Sequence, residues 1–161
     1  MPNDPLFPFQ EIPSSRMHRS IVSTIRSPHF FFGLPNLSPA SWNLIVDNTK
    51  ERERLEFLGD ALIGSTVSEQ LCRYWPNECP KFYTLARSVL TANSTFAHLM
   101  CKVGHHDIKD PVKPAGDAFE TILAAFHSEQ GLTAFNDYIN QYFLPLINCA
   151  ANAYHDNRSV K

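Results

Sequence analysis

The chain has 161 residues, 43% of them hydrophobic, enough for one well-buried core and short for two. Its 14 Lys+Arg against 16 Asp+Glu leave a net charge of −2, so no global field draws it to a polyanion, and any nucleic-acid contact must come from local patches. No run approaches the roughly 20 apolar residues of a membrane span, which excludes a membrane partner of that kind.

Cys72, Cys79, Cys101 and Cys149 stand at irregular spacings without a C-x-x-C pair, and no early apolar run of signal-peptide type precedes them. Reduced cysteines in an intracellular protein, cytoplasmic or nuclear, are expected. Arg16, Arg19 and Arg26 among serines give a mitochondrial address as the alternative, against which Asp4, Glu11 and the prolines argue.

Seven of the twelve prolines fall in the first 39 residues, a density that blocks regular helix and central strand. Residues 1–15 therefore read as an extended arm, with a short helix over 17–26. A second short helix runs from Ser38 or Ser41 through Val46, with Trp42, Leu44 and Ile45 as its apolar surface after a serine cap. From Glu51 to about Trp75 the periodicity is helical. Leu55, Leu58 and Leu62 on one side and Phe57 and Ala61 on the other predict a largely buried helix, ended by Pro76. Gly59 and Gly64 within it predict close approach of another helix.

Thr84 opens a further helix in which Leu85, Val89, Ala92, Phe96, Leu99 and Val103 keep a 3-4 spacing as far as Gly104. Residues 105–115, with two prolines and two lysines, read as a loop. The helix carrying Asp117 then runs to about Glu129, Gly131 breaks it, and a last helix with Leu132, Phe135, Ile139, Tyr142 and Phe143 reaches Pro145. Nothing alternates with period two, so the fold class is all-α. The domain limits follow: a Pro-rich arm over 1–37, a folded domain over 38–147, and a tail over 148–161.

Two acidic pairs stand out against this apolar background. Glu56 and Asp60 are one helical turn apart, and Asp117 and Glu120 form a second pair in a similar setting. A lone pair of this kind is ordinarily a solvated helix face. Acids in a first helical turn, where the sequence puts Asp117 and Glu120, also gain about 0.3–1 kcal/mol from the dipole without any function. Here both pairs are embedded in apolar sequence, so both look toward other helices. Like charges at about 4 Å cost on the order of 4 kcal/mol at an effective dielectric of 20. Relief would come from a proton, from basic partners such as Arg54 or Arg87, or from a divalent cation. All-oxygen ligation suits Mg²⁺, with Mn²⁺ able to substitute, and such ions also bind phosphate oxygens.

The run Glu53-Arg54-Leu55-Glu56-Phe57-Leu58-Gly59-Asp60-Ala61 resembles, without a gap, the signature motif of the ribonuclease III family. Thr84-x-x-Arg87-x-x-Leu90-x-x-Asn93, then Phe96-Ala97 and Gly104, resembles the family's segment between its acidic helices. Gly116-Asp117-Ala118-Phe119-Glu120 resembles its second acidic motif. The resemblance covers roughly residues 40–147. It implies the family's all-helical endonuclease fold and a metal-dependent endoribonuclease that hydrolyses double-stranded RNA, leaving 5′-phosphate and 3′-hydroxyl ends with short 3′ overhangs.

Carried over residue by residue, it implies that Glu56, Asp60, Asp117 and Glu120 are the catalytic and metal-binding carboxylates. Glu53, Arg54, Thr84, Arg87 and Asn93 become accessory residues. Phe57 matches the aromatic residue that packs into the partner in family homodimers, so a homodimer is expected. Lys50, Arg52, Arg73, Lys81, Lys109 and Lys113 are candidate contacts to RNA phosphates. The 41 residues after Glu120 leave no room for the double-stranded-RNA-binding domain that follows in many relatives, so a single-domain member is expected. The alternative is a catalytically inactive relative serving as an RNA-binding or ribosome-associated scaffold, which would not need four mutually repelling acids. The pair His105-His106 followed by Asp107 reads as a solvated turn rather than a metal site.

Overall fold

The computed structural model describes residues 12–156 except Asn48. Of the extended arm expected over residues 1–15, residues 1–11 lie outside the described part, as do the last five residues of the chain, while 13–15 are helical. Six helices follow in order: α1 Pro13–Arg26, α2 Pro39–Asp47, α3 Thr49–Tyr74, α4 Pro80–Leu90, α5 Asn93–Lys102 and α6 Val112–Asp156. No strand occurs among the described residues, and the fold is all-α.

Proline starts helices here as well as stopping them. Pro13 and Pro80 sit in the first turn of α1 and α4, where the missing N–H has no intrahelical partner to lose. α1 therefore begins earlier than the sequence suggests. Its Met17, Ile21 and Ile25, four residues apart, are fully buried. Burial of each is worth about 2 kcal/mol, so α1 belongs to the main core and the folded unit reaches back past residue 38. At the other end, Ala150, Ala151, Ala153 and Tyr154 are buried on α6, beyond the expected limit at 147. Gly131 breaks α6 as expected, with φ +87°. Pro145 does not end it: the ring removes one backbone donor while Phe143, Leu146 and Ile147 beside it stay fully buried.

The segment expected as one helix over 84–103 is two. The chain turns at Thr91 and Ala92, and the apolar 3-4 spacing runs through the turn because both helices bury against the same core. Phe82 and Phe96, one from each, are both buried, and Phe96 lies 4.6 Å from the ring of Phe119 on α6. α3 and α6 form the most extensive helix pair of the fold.

A smaller apolar cluster lies where α2 covers that pair, with Leu37, Ile45, Leu55, Leu58, Ala124 and Ala125 in contact. Glu129 fastens the start of α2 to α6: its carboxylate accepts the Ser38 backbone N–H at 3.0 Å and the hydroxyls of Ser38 and Ser41. The hydroxyl of Ser38 in turn accepts the Ser41 N–H at 3.1 Å as a helix cap.

Candidate active site

α3 is buried on one face only. Leu55, Gly59, Ile63, Val67 and Leu71 face the core, while Phe57 is 80% exposed and Ala61 is exposed, so the second apolar face expected from the sequence points to solvent. Between the two faces runs an acidic edge. Glu53, Glu56 and Asp60 recur at steps of three and four, which places them in a row along the helix.

α6 supplies the opposing row. It begins at Val112, so Asp117 and Glu120 are in its second and third turns and not in the first, and the dipole does not account for them. Pro111 and Pro114 give this start the composition of a loop, but Pro114 is tolerated in the first turn of the helix. Glycine sets how closely the rows approach. A β-carbon on Gly59 would lie 2.0 Å from the Glu120 carbonyl oxygen and 2.6 Å from its carbon. Only the bare backbone lets α3 cross α6 there. Gly64 has nothing within 4 Å of such a position, so the close approach expected at that glycine is absent.

The result is an open cavity of about 750 Å³ onto which Glu53, Glu56, Asp60, Asp117 and Glu120 all face, beside Phe57, Asn93 and Lys113. Glu120 is 7% exposed. Burial, then the charges of Asp60, Asp117 and Glu56, push its carboxyl up to about 7. Glu56 is raised for the same kinds of reason, burial first and Asp117 second. Among the described residues, the one cation in the cavity wall is Lys113. Its ammonium donates to both oxygens of Asp117 at 2.8 and 3.1 Å and also favours the charged forms of Glu56 and Glu120.

Residues 53–131 match the model of the Ribonuclease III domain family. This stretch of the chain is similar to a ribonuclease III domain. Proteins named Ribonuclease 3 are similar to the chain: that of Mycoplasmopsis synoviae (strain 53) is 27% identical over 124 residues, 70% of this chain and 54% of the relative. That of Chlorobium chlorochromatii (strain CaD3) is 24% identical over 109 residues, 60% of this chain and 44% of the relative. That of Listeria monocytogenes serotype 4a (strain HCC23) is 26% identical over 117 residues, 65% of this chain and 51% of the relative. The chain thus spans about half the length of the curated relatives it matches.

Of the residues named from the sequence, the cavity unites the five acids with Phe57, Asn93 and Lys113. Arg54 does not relieve them; it pairs with Glu51 on the outside of α3. Thr84 and Arg87 line a neighbouring groove that shares Asp60 and Thr91 with the acidic cavity, and Arg87 donates to Ser68 at 3.2 Å. Arg73 pairs with Glu69 at 2.7 Å. Lys50, Arg52, Lys81 and Lys109 are exposed and line neither space. Lys113, expected only as a phosphate contact, is also the partner of Asp117, which its i, i+4 spacing signals. Thr91 enters the wall through the turn between α4 and α5, which the unbroken apolar spacing of that segment conceals.

The cavity fits a hard divalent cation by its chemistry. Every anionic group in it is an oxygen donor, and burial together with the charges of Asp60, Asp117 and Glu56 leaves Glu120 only partly ionised at neutral pH, which a cation would reverse. Among the described residues, no three His, Cys, Asp or Glu side chains already converge on one point as ligands.

Proposed function

We propose that this chain is a metal-dependent endoribonuclease that hydrolyses double-stranded RNA as a homodimer. The observation that carries the reading is the convergence of Glu56, Asp60, Asp117 and Glu120 from two helices on one open cavity, close enough that three of the acids help raise the fourth to about 7. A solvated helix face has no use for such a cluster, and it costs stability in a chain without a counter-ion. Glu56, Asp60, Asp117 and Glu120 would hold Mg²⁺ or Mn²⁺, and Glu53, at the edge of the row, would reach the ion's water shell. When bound, the ion supplies Lewis acidity toward water and the phosphate oxygens.

In the reaction a water oxygen bonds to phosphorus, the bond from phosphorus to the 3′ oxygen breaks, and that oxygen takes up a proton. The products carry 5′-phosphate and 3′-hydroxyl ends. Two cavities are needed for two strands, and offset cuts leave short 3′ overhangs. Phe57, large, apolar and exposed beside the cavity, supports an isologous contact at this end of α3.

The test is incubation of the purified chain with a long RNA duplex in Mg²⁺, in Mn²⁺ and in chelator, beside Glu120→Gln. Cutting by the wild type in either metal and by neither protein in chelator is expected, with Glu120→Gln slower by about two orders of magnitude or more. A duplex left intact by the wild type in both metals would favour the RNA-binding scaffold instead.

A further inference from the structure

Serine followed by proline occurs twice in the chain, at Ser27-Pro28 and at Ser38-Pro39, and the two stand in opposite surroundings. Ser38 ends a stretch, residues 30–38, that is neither helix nor strand, and Ser38, Pro39 and Ala40 are all exposed. Its hydroxyl donates to Glu129 Oε1 at 2.5 Å, its N–H donates to the same carboxylate at 3.0 Å, and the hydroxyl of Ser41 joins them. The Ser38 hydroxyl, then that of Ser41, holds the Glu129 carboxyl below the usual carboxylate range, so it is anionic at neutral pH. Among the described residues no cation pairs with it. At Ser27 the sign is reversed: Lys102 Nζ donates to the Ser27 carbonyl at 2.6 Å, so the nearby charge is positive.

The helix that this carboxylate fastens has little else to hold it. α2 is nine residues long and none of them is buried. A helix of that length is marginal in water by itself, so α2 depends on what it docks against. Its docking consists of partly buried Ile45, with Leu37 just before the helix, on Leu55, Leu58, Ala124 and Ala125, and of the Glu129 clamp at its first turn. Leu55 and Leu58 flank Glu56 and Phe57 in the sequence of α3. Whatever loosens α2 therefore reaches the helix that carries the acidic row.

We infer that Ser38 is a phosphorylation site for a proline-directed protein kinase, and that its phosphate opens the Glu129 clamp and unfastens α2 from α3 and α6. In the step, Ser38 Oγ bonds to the γ-phosphorus of a nucleoside triphosphate, and the bond from that phosphorus to the β–γ bridging oxygen breaks. The nucleoside diphosphate leaves, and the hydroxyl proton passes to the kinase's base and then to solvent. Glu129 loses the proton it accepts from Ser38 and meets a group of charge about −1.5 to −2 in its place, with no cation between them. The phosphate also competes for Ser41, whose N–H already donates to Ser38 Oγ at 3.1 Å, and an anion at a helix N-terminus is favourable. α2 keeps its cap and loses its anchor. The inference stands apart from the nuclease reading.

The test treats the full chain with a purified proline-directed kinase and Mg²⁺-ATP, beside Ser38→Ala, Pro39→Ala and Glu129→Ala. Intact and fragment masses count and place the phosphate, and hydrogen exchange of residues 42–47 reports on α2. The wild type is expected to take phosphate on Ser38, Ser38→Ala to lose it and Pro39→Ala to take little. Phosphorylated wild type should exchange its α2 amides about ten-fold faster or more, the loss of at least one bond to a charged group, while α5 exchanges as before. Glu129→Ala removes all three bonds at once. It should expose α2 to the same extent without phosphate, and phosphorylating it should add less than about three-fold. Unmodified Ser38→Ala should lie between, because the Ser38 N–H and the Ser41 hydroxyl still reach Glu129. No phosphate on the chain, or phosphate on Ser27 alone, overturns the site. Full phosphorylation of Ser38 with unchanged exchange in α2 overturns the switch, as does a Glu129→Ala protein that responds to phosphate as strongly as the wild type, since the clamp would then have no part in it.

Discussion

Glu120 is the residue where burial and charge meet. Its carboxyl, raised to about 7 by burial and by Asp60, Asp117 and Glu56, binds a proton in the folded chain at pH values where the unfolded chain has already released it, near 4.5. Folded protein therefore carries the extra proton between about pH 4.5 and 7, and stability contributed by this group falls as pH rises through that window. In metal-free protein the loss is on the order of 2–3 kcal/mol. Glu120→Gln removes the titration while keeping the shape. The variant should match the wild type near pH 4.5 and exceed its stability at about pH 8 in urea unfolding with chelator present. Parallel curves for the two proteins across that range would mean that Glu120 is not under the pressure of its neighbours. Adding Mn²⁺ at the alkaline end should reverse the order, because the cation stabilises only a chain that keeps the carboxylate.

Between elements, the α3–α6 crossing depends on which glycine stands at it. Gly59 and Gly64 look alike in sequence, yet one meets the Glu120 carbonyl and the other meets nothing. Gly59→Ala must push apart two helix backbones, and overpacking of that kind costs about 1–3 kcal/mol or more. Gly64→Ala has open space and should stabilise α3 by about 0.5–1 kcal/mol through helix propensity. Denaturant unfolding of both variants checks the pair, and equal effects would show that the crossing is looser than the bare-backbone contact implies. The acids are legible in the sequence because carboxylates at helical steps in apolar surroundings are rare and their order along the chain matches a known motif. Helix ends are not. Pro13, Pro80 and Pro114 lie in first turns of helices that composition alone would have them block, Pro145 is carried inside one, and the turn at Thr91 hides within an unbroken apolar spacing. In each case tertiary burial, which the local pattern of a single chain does not contain, decides the outcome.

At the scale of the whole molecule, the expected second protomer turns on Phe57. An aromatic side chain 80% exposed on the helix that carries three of the cavity's acids is expensive surface to leave in water. Burying one such ring is worth about 1.5–3 kcal/mol, and an isologous contact buries two, so Phe57→Ala should weaken the dimer by about 3–6 kcal/mol, roughly two or more orders of magnitude in Kd. Sedimentation velocity across a concentration series measures this directly. A wild type that stays monomeric at every concentration, or a variant that associates equally well, would remove Phe57 from the interface. Phe57 also borders the cavity, so dimer loss and site damage must be separated. Mn²⁺ affinity per chain should be unchanged in Phe57→Ala, because no acid is moved. Cutting of both strands at concentrations that leave the variant monomeric should fall far more than nicking of one, since a lone cavity still reaches a single phosphodiester. If nicking and double cutting fell together, the defect would lie within the cavity and the second protomer would have no part in pairing the cuts.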